Sequence, residues 1–120
     1  RALATCAVSV ALRRHAGIYA QEADPVMGVM AGTAMGRDLR NVERVLCVGG
    51  IFVHTEEKKG RELVRKCFED PGISLLPLRE PEILLDRDYI FYALGVLGKH
   101  YPDMMLDFMK KHYISQNNQE

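Results

Sequence analysis

Two adjacent glycines, Gly49 and Gly50, follow a short apolar run and are the residues of this sequence best suited to holding a ligand. Because glycine has no Cβ, a planar base or a phosphate can approach the main-chain N–H groups closely. In open α/β sheets, ligands usually bind at the carboxyl ends of the strands, which is where this pair is expected. Tight turns without a ligand use the same residues, and neither GxxxxGK[ST] nor GxGxxG is present, so the pair alone leaves both interpretations open.

Histidines and cysteines give little support for a metal site or a nucleophile. The four histidines lack the HExxH or i, i+4 spacing of a metal site: His15, His54, His100 and His112. His54 follows the glycine pair and is a candidate ligand contact, although a capping or packing role also fits. The three cysteines include no CxxC pair, and their odd number is typical of a reducing cytoplasm: Cys6, Cys47 and Cys67. We predict neither a metal site nor a catalytic residue.

Buried strands are needed to position the glycine pair. The run Val45-Leu46-Cys47-Val48, within a strand predicted at 42–48, is continuously apolar. This is typical of a parallel strand covered on both faces. A second buried strand is predicted at 73–76, ended by Pro77, with a loop at 79–82. Proline and glycine between short apolar runs predict a β-hairpin with strands at 18–20 and 29–31.

Helical spacing predicts four helices around these strands. The first spans 2–15, stops at Gly17 and has one apolar face: Leu3, Cys6, Ala7, Val10 and Ala11. The second is capped by Thr55 and ends near Asp70. The third is capped by Asp86 and runs to Leu97, and its Gly95 and Gly98 suggest close packing. The fourth opens at Pro102 and is predicted to bury three side chains: Met105, Phe108 and Met109. The element order indicates an α/β fold.

Length and charge limit the classes of function. A chain of 120 residues suits one domain, predicted at 1–114, followed by a polar tail at 115–120 that frays. Sixteen basic residues balance sixteen acidic ones, so we expect no nucleic-acid partner and no membrane association. The sequence begins without methionine and as though inside a helix, which suggests a piece of a longer chain.

Four segments together resemble the glutamate mutase accessory proteins, which are labelled MutL but are unrelated to mismatch repair. They occur in the family's order and cover nearly the whole chain: 11–17 (ALRRHAG), 36–39 (GRDL), 45–54 (VLCVGGIFVH), and 75–77 (LLP) followed by 85–90 (LDRDYI). The segment 45–54 also resembles the adenosine-binding segment of the acetate kinase, Hsp70 and actin superfamily. One departure is that Cys47-Val48 stand where the family commonly has Gly-Thr.

The resemblance implies a fold, a ligand and a partner. It implies the C-terminal subdomain of an actin-like (ribonuclease H-like) ATPase, with a small mixed sheet, a hairpin and flanking helices. The parent protein would bind ATP with Mg²⁺, with Gly49 and Gly50 contacting the nucleotide and Val48 beside them. His54 is added as a nucleotide contact because it follows the glycine turn. It would reactivate an adenosylcobalamin-dependent mutase in the cytoplasm. The acidic, glycine-rich hairpins that hold phosphates and magnesium lie upstream in that superfamily, so the chain alone is not expected to be catalytic.

A second interpretation comes from a different class. The chain would be a non-catalytic α/β interaction module that docks a partner through the helix holding Met104 and Met109 and binds no nucleotide. The sequence leaves the oligomeric state open, including a homodimer formed through surface that a longer parent would bury.

Overall fold

A computed structural model describes residues 2–114 of the chain. These residues belong to two compact units, Arg1–Arg44 with Glu62–Glu82, and Val45–Arg61 with Ile83–Glu120. The single domain at 1–114 stays a prediction, and the tail predicted at 115–120 lies outside the described residues. Among residues 2–114, no helix combines the length and the apolar character needed to cross a membrane.

The first helix, α1 (Ala2–His15), confirms the predicted helix but buries a different side from the apolar face seen in the sequence. Leu3 is 83% exposed and Val10 is also exposed. The half-buried positions include Val8 and Leu12 instead. The helix contacts the turn Lys66–Phe68, where the buried Cys67 Sγ lies 3.6 Å from the carbonyl oxygen of Thr5.

A β-hairpin follows α1, with its second strand later in the chain than predicted. β1 (Ile18–Tyr19) pairs antiparallel with β2 (Ala34–Met35). The predicted strand at 29–31 is wrong, because only an isolated bridge joins Asp24 to Val29. The Asp24 carboxylate accepts the N–H groups of the next turn, which closes the chain locally at the tip of the loop.

The parallel sheet is confirmed for its first strand and corrected for its second. β3 (Arg44–Cys47) pairs with β4 (Glu82–Leu85), which begins at the last residue of the loop predicted at 79–82. The N–H of Glu82 donates to the carbonyl of Glu43, and the N–H of Asp86 donates to that of Cys47. From the first bond to the second, the residue number rises by four on both strands, so the strands are parallel.

The segment predicted as the second strand, 73–76, is buried but forms no ladder. Leu75 and Leu76 are almost fully buried, and Ser74 makes a single antiparallel bridge to Ile18. The Tyr19 N–H donates to the carbonyl of Ile73 at 2.8 Å. An apolar run of this length shows that a segment is buried, but burial alone does not make it a strand.

Four further helices complete the described fold: α2 (Gly50–His54), α3 (Glu57–Arg65), α4 (Phe91–Leu97) and α5 (Pro102–Met109). α3 continues into the 3₁₀ turn Lys66–Phe68, and α5 continues into the π-helical turn Lys110–Ile114. Thr55 is the C-terminal cap residue of α2, a short helix that was not predicted. The prediction that Thr55 caps the next helix is wrong, because α3 begins two residues later, at Glu57. Pro102 opens α5 as predicted.

The core of the second unit lies between β4 and the last two helices. Leu84, Leu94 and Tyr113 form its buried centre, and Met105 and Met109 pack against it. Phe108 is exposed, so its predicted burial is wrong. Its ring stacks on His112 instead, with centroids 5.5 Å apart. Gly60 of α3 is buried against β4. A Cβ at this position would lie 3.1 Å from Leu85 Cδ1, so glycine lets the helix approach the strand closely.

We expect Gly95→Ala to raise the free energy of unfolding by about 1 kcal/mol, the usual gain when alanine replaces glycine in a helix. The predicted close packing at Gly95 is wrong, because no described atom lies within 4 Å of the Cβ position beyond the helix's own backbone. Urea unfolding measures the change. Gly98→Ala is the comparison, since its Cβ would meet the Leu94 carbonyl oxygen at 3.1 Å. If Gly95→Ala were less stable than the wild type, the absence of close neighbours at the Gly95 Cβ position would be contradicted.

Candidate ligand site at the glycine turn

The turn between β3 and α2 requires glycine at one position. Gly49 has φ 131° and ψ 157°, a backbone conformation that residues with a side chain rarely adopt. Apart from their chain neighbours, no atom of residues 2–114 lies within 4 Å of the Cβ position of either Gly49 or Gly50, so the described structure leaves the space beside both residues open. The N–H of Phe52 donates to the Gly49 carbonyl at 3.0 Å, which closes the first turn of α2. The turn is therefore fixed in shape and accessible.

The loop after β4 lies at the same edge of the sheet as the glycine turn. β3 and β4 are parallel, and the N–H of Asp86 donates to the Cys47 carbonyl at 2.9 Å. The guanidinium group of Arg87 then donates to the carbonyl of Phe52 at 3.0 Å and to that of Thr55. Arg87 thereby caps the carboxyl end of α2 with a positive charge and ties this loop to the helix that follows the glycines.

Asp86 is the most enclosed polar residue at this edge, with a side chain that is 0% exposed. Its Oδ1 accepts the Ile90 N–H at 3.1 Å and the Tyr113 hydroxyl at 2.7 Å. Its Oδ2 accepts the Phe91 N–H at 3.0 Å. The N-cap residue of α4 is Ile90 and not Asp86 as predicted, although the Asp86 carboxylate does accept N–H groups at the start of that helix. Its third partner, Tyr113, lies 27 residues later and gave no local signal. The carboxylate is fully paired, which fits a positioning role and not that of a base.

The Tyr113 hydroxyl is held as a neutral donor. Burial raises the pKa of this phenol, and the hydrogen bond to the Asp86 carboxylate raises the pKa further. The π-helical turn Lys110–Ile114 carries Tyr113 into the core, and His112 next to it lies 3.0 Å from the Asp88 carboxylate. The end of the described chain is therefore fastened to the loop that follows β4.

Residues 1–113 match the family described as MutL protein. The chain belongs to this family. Over 113 residues it is 34% identical to "Protein MutL" of Clostridium tetanomorphum, an alignment that covers 94% of this chain and 24% of that protein. The chain thus spans about a quarter of the length of this curated relative. No solved structure matches it significantly. The resemblance seen in the four sequence segments is confirmed at the level of the family.

In this MutL chain the predicted nucleotide contacts are only partly brought together. Val48, Gly49 and Gly50 are consecutive at the turn, and Val48 is exposed just after β3. His54 is the last residue of α2 and is exposed. Since a helix rises about 1.5 Å per residue, His54 lies about 6 Å further along the helix axis than Gly50. A nucleotide role for these four residues stays a prediction.

Two tyrosines after β4 stand out in the structure. The helix predicted from Asp86 to Leu97 included Tyr89, but α4 begins only at Phe91, so Tyr89 lies in the loop before it. Tyr89 and Tyr92 follow β4, and Tyr89 has φ 55° although it is not glycine. Their ring centroids are 6.1 Å apart, with 56° between the planes. Nothing in the local sequence signals this backbone conformation, because tyrosine is not among the residues that favour it.

The cysteines of this MutL chain give no reactive thiol at the turn. Cys47 is buried in β3, as predicted. Cys67 is also buried, and burial raises the pKa of its thiol, which disfavours the thiolate. Cys6 is exposed on α1, contrary to the predicted packing role. Within residues 2–114, no group of three or more metal-binding side chains is gathered.

Proposed function

We propose that this MutL-family chain is the nucleotide-binding lobe of an ATP-dependent factor that reactivates an adenosylcobalamin-dependent mutase such as glutamate mutase. The observation that carries the proposal is the geometry of Gly49, with φ 131° at the carboxyl end of a parallel strand and open space beside it. Such a turn lets a ligand approach bare backbone, and it lies where α/β sheets bind ligands. The actin-like architecture belongs to this proposal.

The residues at the turn fit the nucleotide chemically. The main-chain groups of Gly49 and Gly50 would contact the adenosine part of ATP, because no side chain obstructs them. Mg²⁺ would arrive bound to the phosphates and neutralise their charge, and we assign no residue of this chain to it. This chain would bind and orient the nucleotide, and hydrolysis would depend on groups supplied elsewhere in the intact protein.

The test is calorimetric titration of the full-length protein with ATP and Mg²⁺, comparing the wild type with Gly49→Val. We expect the variant to bind roughly tenfold more weakly or worse, since each main-chain hydrogen bond to the uncharged adenosine part contributes about 0.5–1.5 kcal/mol. A β-branched residue both strains the backbone at this φ and fills the open space beside the turn.

Two control variants separate binding from folding. Gly28→Val introduces the same residue at another positive φ, 67°, with nothing within 4 Å, in the loop of the hairpin. It should lose stability but keep ATP affinity. Gly50→Ala should cost little stability, because Gly50 lies within α2, and it should weaken ATP binding less than Gly49→Val does, because it leaves the backbone at Gly49 unstrained. Undiminished ATP binding by Gly49→Val would refute the proposed site, and a wild type that binds no ATP would refute the proposed function.

A non-catalytic interaction module is the second candidate function, and one observation favours it. α5 exposes two large apolar side chains one turn apart on the same face of the helix, Met104 and Phe108. Exposed apolar groups that cluster are typical of docking surfaces. In that case Met104→Glu would abolish binding of the partner mutase subunits, or dimerisation of the chain, while the wild type would show no ATP binding in the same titration.

A further inference from the structure

Tyr89 combines a strained backbone with an exposed aromatic ring. Its φ of 55° is the only positive value for a residue other than glycine in the described part of the chain. For a bulky side chain this backbone conformation is an outlier, and adopting it lowers the stability of the folded state. The Tyr89 side chain is nevertheless 51% exposed, and that of Tyr92 is 64% exposed. Two large rings therefore remain in solvent, 6.1 Å apart.

The fold itself does not require a tyrosine at this position. Asp86 holds the next helix by accepting the N–H groups of Ile90 and Phe91, and Arg87 holds the loop to α2. Both anchors act through residues other than Tyr89. Glycine would adopt φ 55° without strain, and asparagine or aspartate with little. Neither anchor gives a structural reason for an aromatic ring at this position.

The position of the two rings indicates what they would contact. Tyr89 lies in the loop after β4, and the glycine turn follows β3, so both occupy the carboxyl edge of the same parallel pair. The contact of Arg87 with the Phe52 carbonyl fixes this loop against α2. An exposed aromatic face at the sheet edge that also carries bare backbone provides a surface on which a nucleobase stacks.

We propose that Tyr89 and Tyr92 form the stacking site for the purine base of a nucleotide held at Gly49 and Gly50, with the base flat on one ring and against the edge of the other, because the two rings are inclined by 56°. The inference rests on the proposed nucleotide site and adds the part of the ligand that these side chains recognise. Stacking uses the flat face of the base, so it contributes to the affinity for ATP and not to that for a ligand without a base. A purine offers a larger face than a pyrimidine and binds more tightly.

The test measures the affinity of the full-length protein for ATP, CTP and inorganic triphosphate, each with Mg²⁺. Tyr89→Ala and Tyr92→Ala are expected to weaken ATP binding about tenfold, to weaken CTP binding less, and to leave triphosphate binding unchanged. Tyr89→Phe should retain wild-type affinity, because it keeps the aromatic face. Tyr101→Ala is the matched control: that side chain is 56% exposed but lies beyond α4.

Tyr89→Gly separates recognition from folding. Relief of the strained backbone is expected to raise the Tm by a few degrees while ATP binding falls about tenfold. If Tyr89→Gly and Tyr92→Ala both bind ATP as the wild type does, the stacking site is refuted while the nucleotide site stands. If the wild type binds no ATP, both proposals fail. Equal losses for ATP and triphosphate would also overturn the stacking role, because they would place the effect on the phosphates.

Discussion

Gly17→Ala is expected to lower the free energy of unfolding by about 3 kcal/mol or more, the upper end of the range for overpacked sites. A Cβ at this position would lie 2.2 Å from the carbonyl oxygen of Met35 and 2.8 Å from the backbone nitrogen of Arg37. Both neighbours are backbone atoms, so no side-chain rotation relieves the clash. The chain would have to move one of two hydrogen-bonded segments.

The movement would break several backbone hydrogen bonds at once. The N–H of Gly17 donates to the Arg37 carbonyl at 2.6 Å, and its carbonyl accepts the Leu75 N–H at 2.7 Å. The first residue of β1, Ile18, pairs with Met35 immediately beside this contact. Two of the segments that carry the family resemblance, 11–17 and 36–39, therefore meet at Gly17.

Urea unfolding followed by circular dichroism measures the effect of Gly17→Ala. Gly32→Ala is the matched control, because Gly32 has a positive φ of 80° but no atom of the described part of the chain within 4 Å of its Cβ position, its chain neighbours aside. The control carries backbone strain without crowding and should lose about 1 kcal/mol. If Gly17→Ala were no less stable than Gly32→Ala, crowding would not be the reason for glycine at this position.

The role of Gly17 shows how far local sequence patterns reach. Helical spacing followed by glycine predicted the end of α1 within two residues, because both signals lie within one turn of the chain. The crowding of Gly17 depends on Gly36, whose own Cβ would lie 3.1 Å from the Gly17 Cα. No periodicity connects residues so far apart in sequence, so the tertiary contact was not predictable from one chain.

The second strand shows the same limit for the sheet. The runs 73–76 and 83–85 are both short and apolar, so periodicity ranks them equally. The structure pairs Glu82–Leu85 with β3, while Leu75 donates its N–H to Gly17. Which of the two buried segments becomes a strand depends on its hydrogen-bond partners. Those partners lie far away in the sequence, so the local pattern does not reveal them. The glycine turn was predictable because a strand followed by two glycines is a local signal.

Asp86→Ala is expected to lower the free energy of unfolding by about 3 kcal/mol or more. The carboxylate is fully buried and accepts three hydrogen bonds, from the N–H groups of Ile90 and Phe91 and from the Tyr113 hydroxyl. Each buried donor left without an acceptor costs about 1–3 kcal/mol. The loss would loosen both the start of α4 and the attachment of the π-helical turn.

Milder substitutions show how much each hydrogen-bond partner of Asp86 contributes to the free energy of unfolding. Tyr113→Phe removes one donor and should cost about 1–2 kcal/mol. Asp86→Asn keeps the shape but turns one acceptor into a donor, so its cost should lie between those of the other two variants. Asp88→Asn is the control for charge at this loop, because Asp88 is exposed and pairs only with His112 among the described residues. Independent, fully additive losses for Asp86→Asn and Tyr113→Phe would contradict the hydrogen bond between them.

The raised pKa of Tyr113 gives this hydrogen bond a distinct pH dependence. The folded-state pKa lies above the unfolded value of about 10, because burial and the Asp86 carboxylate disfavour the phenolate. The stabilisation is therefore complete below about pH 10 and is lost as the pH rises through the folded-state pKa. The wild type should lose stability relative to Tyr113→Phe above that pH, whereas Tyr101→Phe should follow the wild type. If the free energy of unfolding fell equally with rising pH in the wild type and in Tyr113→Phe, the hydroxyl would not be held in the core by Asp86.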